Sequence, residues 1–265
     1  MQTIKTFSKL FLLLIITVFI NACGNKDYVD TYDDDGFKSF IYAYTSGVIS
    51  KVAPVRVRFT QKLVDANQVG KPVEKGIVSF TPSFDGTPIW LDEQTIEIKP
   101  NKALPSDTKY AGTIRMTKLY NNIPADLKTF KFGFRTLEQH AELEIEGLVS
   151  PDLTDISKQE VVGTVFTADV ADAEDVEKML SAIQKNNDNI EIRWSHDGDQ
   201  KHHHFIITNV ARGKKASEVK LNWNGSNIGA EEKGTKNVPV PSIDDFKLMD
   251  IQINEEEGQN VTLYF

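Results

Sequence analysis

Apolar and polar residues alternate in short runs along most of this chain, and stretches at helical period are rare. Val55, Val57 and Phe59 alternate with Arg56 and Arg58, which sends the apolar set to a core and the arginines to water. Residues 37–45 are rich in β-formers, and further short runs cover 77–80, 89–91, 95–98, 109–116 and 129–135. Gly, Pro, Asn and Asp fill the gaps, as turns require. The pattern predicts about seven strands over residues 37–137, the number that makes an Ig-like sandwich.

A second segment, residues 138–245, continues the pattern with runs at 141–148, 161–166, 190–194, 202–208, 216–223 and 237–241. Residues 195–201 read as the end of a β-hairpin with Asp197-Gly198 at its turn. One stretch departs from alternation. Val176, Met179, Leu180 and Ile183 fall at i, i+3, i+4 and i+7, which predicts a helix over 172–184. Asp172, Glu174 and Asp175 crowd its start, where the helix dipole favours acids. Residues 246–254 and 260–265 read as two more strands around a turn at 255–259. Two strands bury no core of their own. We therefore expect 246–265 to open a further domain, and the chain to be the front of a longer protein. The expected fold class is all-β: tandem β-sandwiches, the second with one helix.

The first 22 residues have a different character. Lys5 and Lys9 precede an apolar run from Leu10 to Ile20, which is too short to span a bilayer. Then comes Ile20-Asn21-Ala22-Cys23, and Cys23 is the only cysteine of the chain. An aliphatic residue at −3, a small one at −1 and the cysteine resemble a lipobox, so residues 1–22 read as a lipoprotein signal peptide and Cys23 as the lipidated residue. Residues 23–36 are polar and acidic, including Asp27, Asp30 and Asp33-Asp34-Asp35, and read as a tether. The expected partner is the membrane, through lipid on Cys23. The expected location is the cell envelope, as an outer-membrane lipoprotein facing the periplasm or the cell surface. The chain has 30 basic and 38 acidic residues, and two of the basic ones belong to the leader; 28 against 38 leaves a net −10. That balance argues against nucleic acid as a partner and against electrostatic docking on anionic lipid.

Candidate chemistry is sparse. In a strand, His202 and His204 share one face, and the turn brings His196, Asp197 and Asp199 near. Two imidazoles at i, i+2 and a third from the turn form a weak zinc candidate: His196, His202 and His204. The alternative is an exposed hairpin whose polar residues face water. No GxSxG, Walker loop or GxGxxG occurs, and no carboxylate pair can be picked out by spacing. The chain is expected to be no enzyme and to carry no cofactor. Trp90, Trp194 and Trp223 sit in strands and read as packing residues.

Residues 46–136 carry a family resemblance. Ser46-Gly47-Val48-Ile49-Ser50 is followed by Pro54-Val55-Arg56-Val57-Arg58-Phe59, then Phe80-Thr81-Pro82, Gly86 and Trp90. Ile96-Glu97-Ile98-Lys99-Pro100, Leu104-Pro105 and Tyr110 come next, and Phe132-Gly133-Phe134-Arg135-Thr136 closes the series. This order resembles the Ig-like domain that opens alpha-2-macroglobulin-like lipoproteins of Gram-negative bacteria. Leu248-Met249-Asp250-Ile251 to Val261-Thr262-Leu263-Tyr264-Phe265 looks like the start of another macroglobulin-like domain. The resemblance implies tandem Ig-like and macroglobulin-like domains in the front of a protease inhibitor, with proteases as partners through downstream bait and trap domains. It also implies that the family's thioester, which needs its own cysteine, is absent here. The alternative is a complete surface lipoprotein that binds a glycan or host protein through its loops.

Overall fold

The computed structural model describes residues 35–152, 154–245, 250–254 and 260–264. The leader, Cys23 and most of the expected tether lie outside the described residues. The last two tether residues, Asp35 and Gly36, belong to a 3-10 helix, Asp35–Ser39, that seats Phe37 in the core.

Residues 41–136 form two four-stranded sheets packed as a sandwich. One contains β1 (Ile41–Tyr44), β3 (Val55–Phe59), β5 (Pro88–Trp90) and β6 (Thr95–Ile98), in the order β1-β3-β6-β5. The other contains β2 (Gly47–Ile49), β4 (Val78–Thr81), β7 (Lys109–Arg115) and β8 (Thr129–Thr136), in the order β2-β8-β7-β4. Alternation places the core as expected: Val55, Val57 and Phe59 are buried and the two arginines between them are exposed. Opposite them, Tyr110 stacks on Phe134 at 5.1 Å and Phe130 on Phe132 at 5.8 Å. Each such side chain contributes about 1.5–3 kcal/mol by leaving water. The run at 37–45 is not one strand. Gly47, at φ +72°, turns the chain from the first sheet into the second, where β2 pairs parallel with β8. A left-handed residue at that crossing favours glycine.

The second sandwich packs β9 (Ala141–Val149), β10 (Lys158–Thr167), β12 (Glu191–His196) and β13 (His202–Ala211), in the order β12-β13-β10-β9, against β11 (Leu180–Gln184), β14 (Ser217–Asn224) and β15 (Lys233–Val240). Its core holds Val161, Val165, Phe205, Ile207, Val219 and Leu221. Among the described residues the all-β reading holds, with one α-helix in the second sandwich, and the extent of that helix is corrected. Helix α1 spans only Ala173–Glu177, capped by the Asp172 carboxylate accepting from Glu174 N–H. Residues 180–184, expected as its second half, form β11. Leu180 to Gln184 pair antiparallel with Trp223 to Val219, so ladder bonds to β14 outweigh the local helical period. The helical pattern also mistook its last member, because Ile183 is exposed on β11.

The final described strands, β16 (Asp250–Asn254) and β17 (Asn260–Tyr264), pair with each other in a hairpin. The expected turn between them and residues 246–249 lie outside the described residues. Among the described residues, no helix is long and apolar enough to cross a membrane.

The two sandwiches meet through polar groups that are out of water. Asp169, in the loop after β10, is only 1% exposed. Its carboxylate accepts from Ser50 Oγ at 2.7 Å and from Lys51 N–H at 2.7 Å, both in the first sandwich. Val170 N–H adds a third bond at 2.8 Å. From the connecting segment, the Gln139 amide brackets the Asp169 backbone: Oε1 accepts from its N–H at 2.8 Å and Nε2 donates to its carbonyl at 3.0 Å.

Candidate functional site

The β12–β13 hairpin carries most of the unusual chemistry of the described residues. Asp197 N–H donates to His202 C=O at 3.0 Å and closes the turn, and Gln200 at φ +57° completes it. Strand alternation then divides the three consecutive histidines. His203 faces the core and is fully buried, whereas His202 and His204 face outward.

The inward cluster joins two histidines and an acid. His196 Nδ1 lies 2.9 Å from His203 Nδ1, and His196 Nε2 lies 3.2 Å from Glu177 Oε1. Trp194 stacks on the His196 ring at 5.9 Å with 7° between the planes. A carboxylate only accepts, so His196 carries a proton on Nε2. A neutral His196 then accepts at Nδ1 from the Nδ1–H of His203. That leaves the His203 Nε2 lone pair in the core, where it has no hydrogen-bond partner among the described residues. Burial holds the His203 imidazole below its ordinary pKa, and the neighbouring His196 acts in the same direction.

The outward cluster is a chain of hydrogen bonds across three strands. Thr164 on β10 is 2% exposed, and its hydroxyl donates to Glu146 Oε1 on β9 at 2.7 Å. Its oxygen then accepts from His204 Nδ1–H at 2.9 Å. The register Thr164↔His204 makes this possible. His204 Nε2, the other ring nitrogen, lies 3.4 Å from Asp197 Oδ1. Beside it, His202 Nδ1 is 2.6 Å from Asp199 Oδ2, and the His202 ring is held edge-on by Phe166 at 5.4 Å. The other Asp199 oxygen accepts from Lys201 N–H at 2.9 Å and His202 N–H at 3.3 Å. Those backbone bonds, the Lys201 one foremost, hold the Asp199 carboxyl below the usual carboxylate range. One ligand atom each from Asp197, Asp199 and His202 lies within 4.8 Å of the others.

The expected trio of His196, His202 and His204 is thus not brought together. His202 and His204 share the outer face as expected, but His196 is on the inner one, because it pairs with His203 and both point to the core. Thr164, Glu146 and Glu177 had no signal in the sequence, since nothing local says which strands flank β13. The outer row also lacks the arrangement of an activated nucleophile. The Thr164 hydroxyl donates its hydrogen bond to Glu146 and accepts one from the imidazole, the reverse of a hydroxyl donating to its general base. Trp90 is buried in the first core, while Trp194 and Trp223 are half-buried against the second.

No known protein-family model matches the chain. No curated protein matches it. Among solved structures it is similar to L,D-transpeptidase 3 from Mycobacterium tuberculosis in complex with a faropenem-derived adduct, with 15% identity, 47% of this chain and 46% of that one covered, and a TM-score of 0.26. It is also similar to the LD transpeptidase LdtMt1 in complex with imipenem, at 13% identity, 74% and 73% coverage and a TM-score of 0.27. A third is an L,D-transpeptidase from Mycobacterium tuberculosis H37Rv, at 12% identity, 69% and 75% coverage and a TM-score of 0.26. The chain spans less than half the length of the first of these. The expectation that the chain is no enzyme is corrected by these matches, which are all to enzymes, and it is not carried further. At such TM-scores their activity does not transfer to this chain either.

Proposed function

We propose that this chain is the membrane-anchored N-terminal portion of an alpha-2-macroglobulin-like protease inhibitor, and that it positions a bait and trap region relative to the envelope. The family reading is supported by the ordered residues from Ser46 to Thr136. The positioning role rests on one observation, the buried Asp169 carboxylate that ties the second sandwich to Ser50 and Lys51 of the first. Tandem domains move relative to one another by default. Buried charge-assisted bonds between them oppose that motion and make a spacer of defined direction. In this reading lipid on Cys23 fixes one end at the outer membrane.

The test uses the native product isolated from membranes by an antibody to the two sandwiches. Incubated with an endopeptidase, it should suppress cleavage of a large protein substrate while cleavage of a small peptide substrate continues. Unimpaired cleavage of the large substrate, with the product in molar excess, would overturn the inhibitor reading. Separately, Cys23→Ala should move the protein from the membrane fraction to the soluble one, and retention in the membrane would refute the anchor.

A further inference from the structure

We infer that the tip of the β12–β13 hairpin is a zinc site, with Asp197, Asp199, His202 and His204 as its ligands. Two nitrogen and two oxygen donors form a set that suits a borderline divalent transition ion better than calcium or magnesium, which take oxygen alone. Asp197 joins the two halves of the set. Its carboxylate lies 3.4 Å from His204 Nε2 and offers an atom within 4.8 Å of donors from both Asp199 and His202.

The second observation concerns the orientation of the His204 ring. With its hydroxyl hydrogen directed at Glu146, Thr164 accepts from His204 Nδ1–H, which turns the ring so that Nε2 lies 3.4 Å from the Asp197 carboxylate. That nitrogen and the Asp197 carboxylate oxygen are two donor atoms placed side by side for one metal ion. The Glu146–Thr164–His204 relay is the outer-shell arrangement by which metal-bound imidazoles are oriented and made more basic. The burial of Thr164 keeps that relay in place. Asp199 is similarly pre-set, since two backbone N–H groups hold one of its oxygens and leave the other toward His202. The site does not depend on the proposed inhibitor function.

Calorimetric titration of the full-length lipidated chain in detergent with zinc chloride tests it. One zinc per chain is expected, with binding weakened about tenfold or more in Asp199→Asn and His204→Ala. Thr164→Val and Glu146→Gln keep all four ligands and should each weaken binding by about 10-fold or more through the outer shell alone. Glu146→Gln serves if the buried threonine variant does not fold. His140→Ala removes a histidine far from the tip in sequence and should leave the affinity unchanged. No heat of binding at micromolar zinc would overturn the inference. So would an affinity indifferent to Asp197→Asn, Asp199→Asn and His204→Ala.

Discussion

Replacing Asp169 by alanine tests the idea that the two sandwiches act as one body. The carboxylate takes three hydrogen bonds, from Ser50 Oγ, Lys51 N–H and Val170 N–H, at 2.7, 2.7 and 2.8 Å. The first two cross the junction. A hydrogen bond to a charged group is worth about 1.5–3 kcal/mol, so the crossing pair contributes about 3–6 kcal/mol gross. Part of that is offset because the variant no longer keeps a carboxylate out of water. The Ser50 hydroxyl can turn to solvent, whereas Lys51 N–H loses its acceptor at the junction. A net loss of about 2–4 kcal/mol in coupling follows. Differential scanning calorimetry reads it directly. Asp169→Ala should split the endotherm and lower the first midpoint by about 8 °C or more for a domain of this size. Asp169→Asn keeps one acceptor oxygen and should fall between. An endotherm of unchanged shape, with a midpoint within about 2 °C of the parent, would refute the lock, since a free hinge has no coupling to lose.

Two other changes probe the second sandwich. A Cβ on Gly163 would fall 2.5 Å from Phe205 Cζ and against the Glu144 carbonyl oxygen, which is backbone and cannot swing aside. Gly163→Ala should therefore cost about 1–3 kcal/mol by overpacking, seen as a lower urea midpoint at unchanged slope, and an unaltered midpoint would count against it. His203 is held below its ordinary pKa of 6.5 by burial, so the unfolded chain binds more protons than the folded one as pH falls past that value. Stability should accordingly be complete above about pH 7 and decline toward acid. His140 acts oppositely: its hydrogen bond to Glu232 raises its pKa, so its contribution is present below 6.5 and lost as pH rises through the folded value. Urea midpoints at several pH values in His140→Ala should show the acid loss cleanly, and adding His203→Phe should flatten it; equal slopes in the two would refute the assignment.

How far the chain could be read follows from the range of each interaction. The alternation of Val55, Val57 and Phe59, the Asp197-Gly198 turn, and the shared face of His202 and His204 are local properties, set by the two-residue period of a strand. They determined the β class, most strand positions and the existence of the histidine hairpin. The end of α1 was not legible, because Leu180 and Ile183 satisfy a helical period and a strand pairing equally well, and only the presence of β14 decides between them. Nor was the pairing of β10 beside β13, which alone puts Thr164 and Glu146 behind His204 and sends His196 to His203 instead. The Asp169 junction is the extreme case. Its partners Ser50 and Lys51 lie 119 and 118 positions away, and a carboxylate in a loop has no local mark of where it will be buried. The sequence by itself determined what each strand shows to either side. The tertiary structure decided which strands stand next to each other, because that choice is made by hydrogen bonds and packing between segments that carry no record of one another.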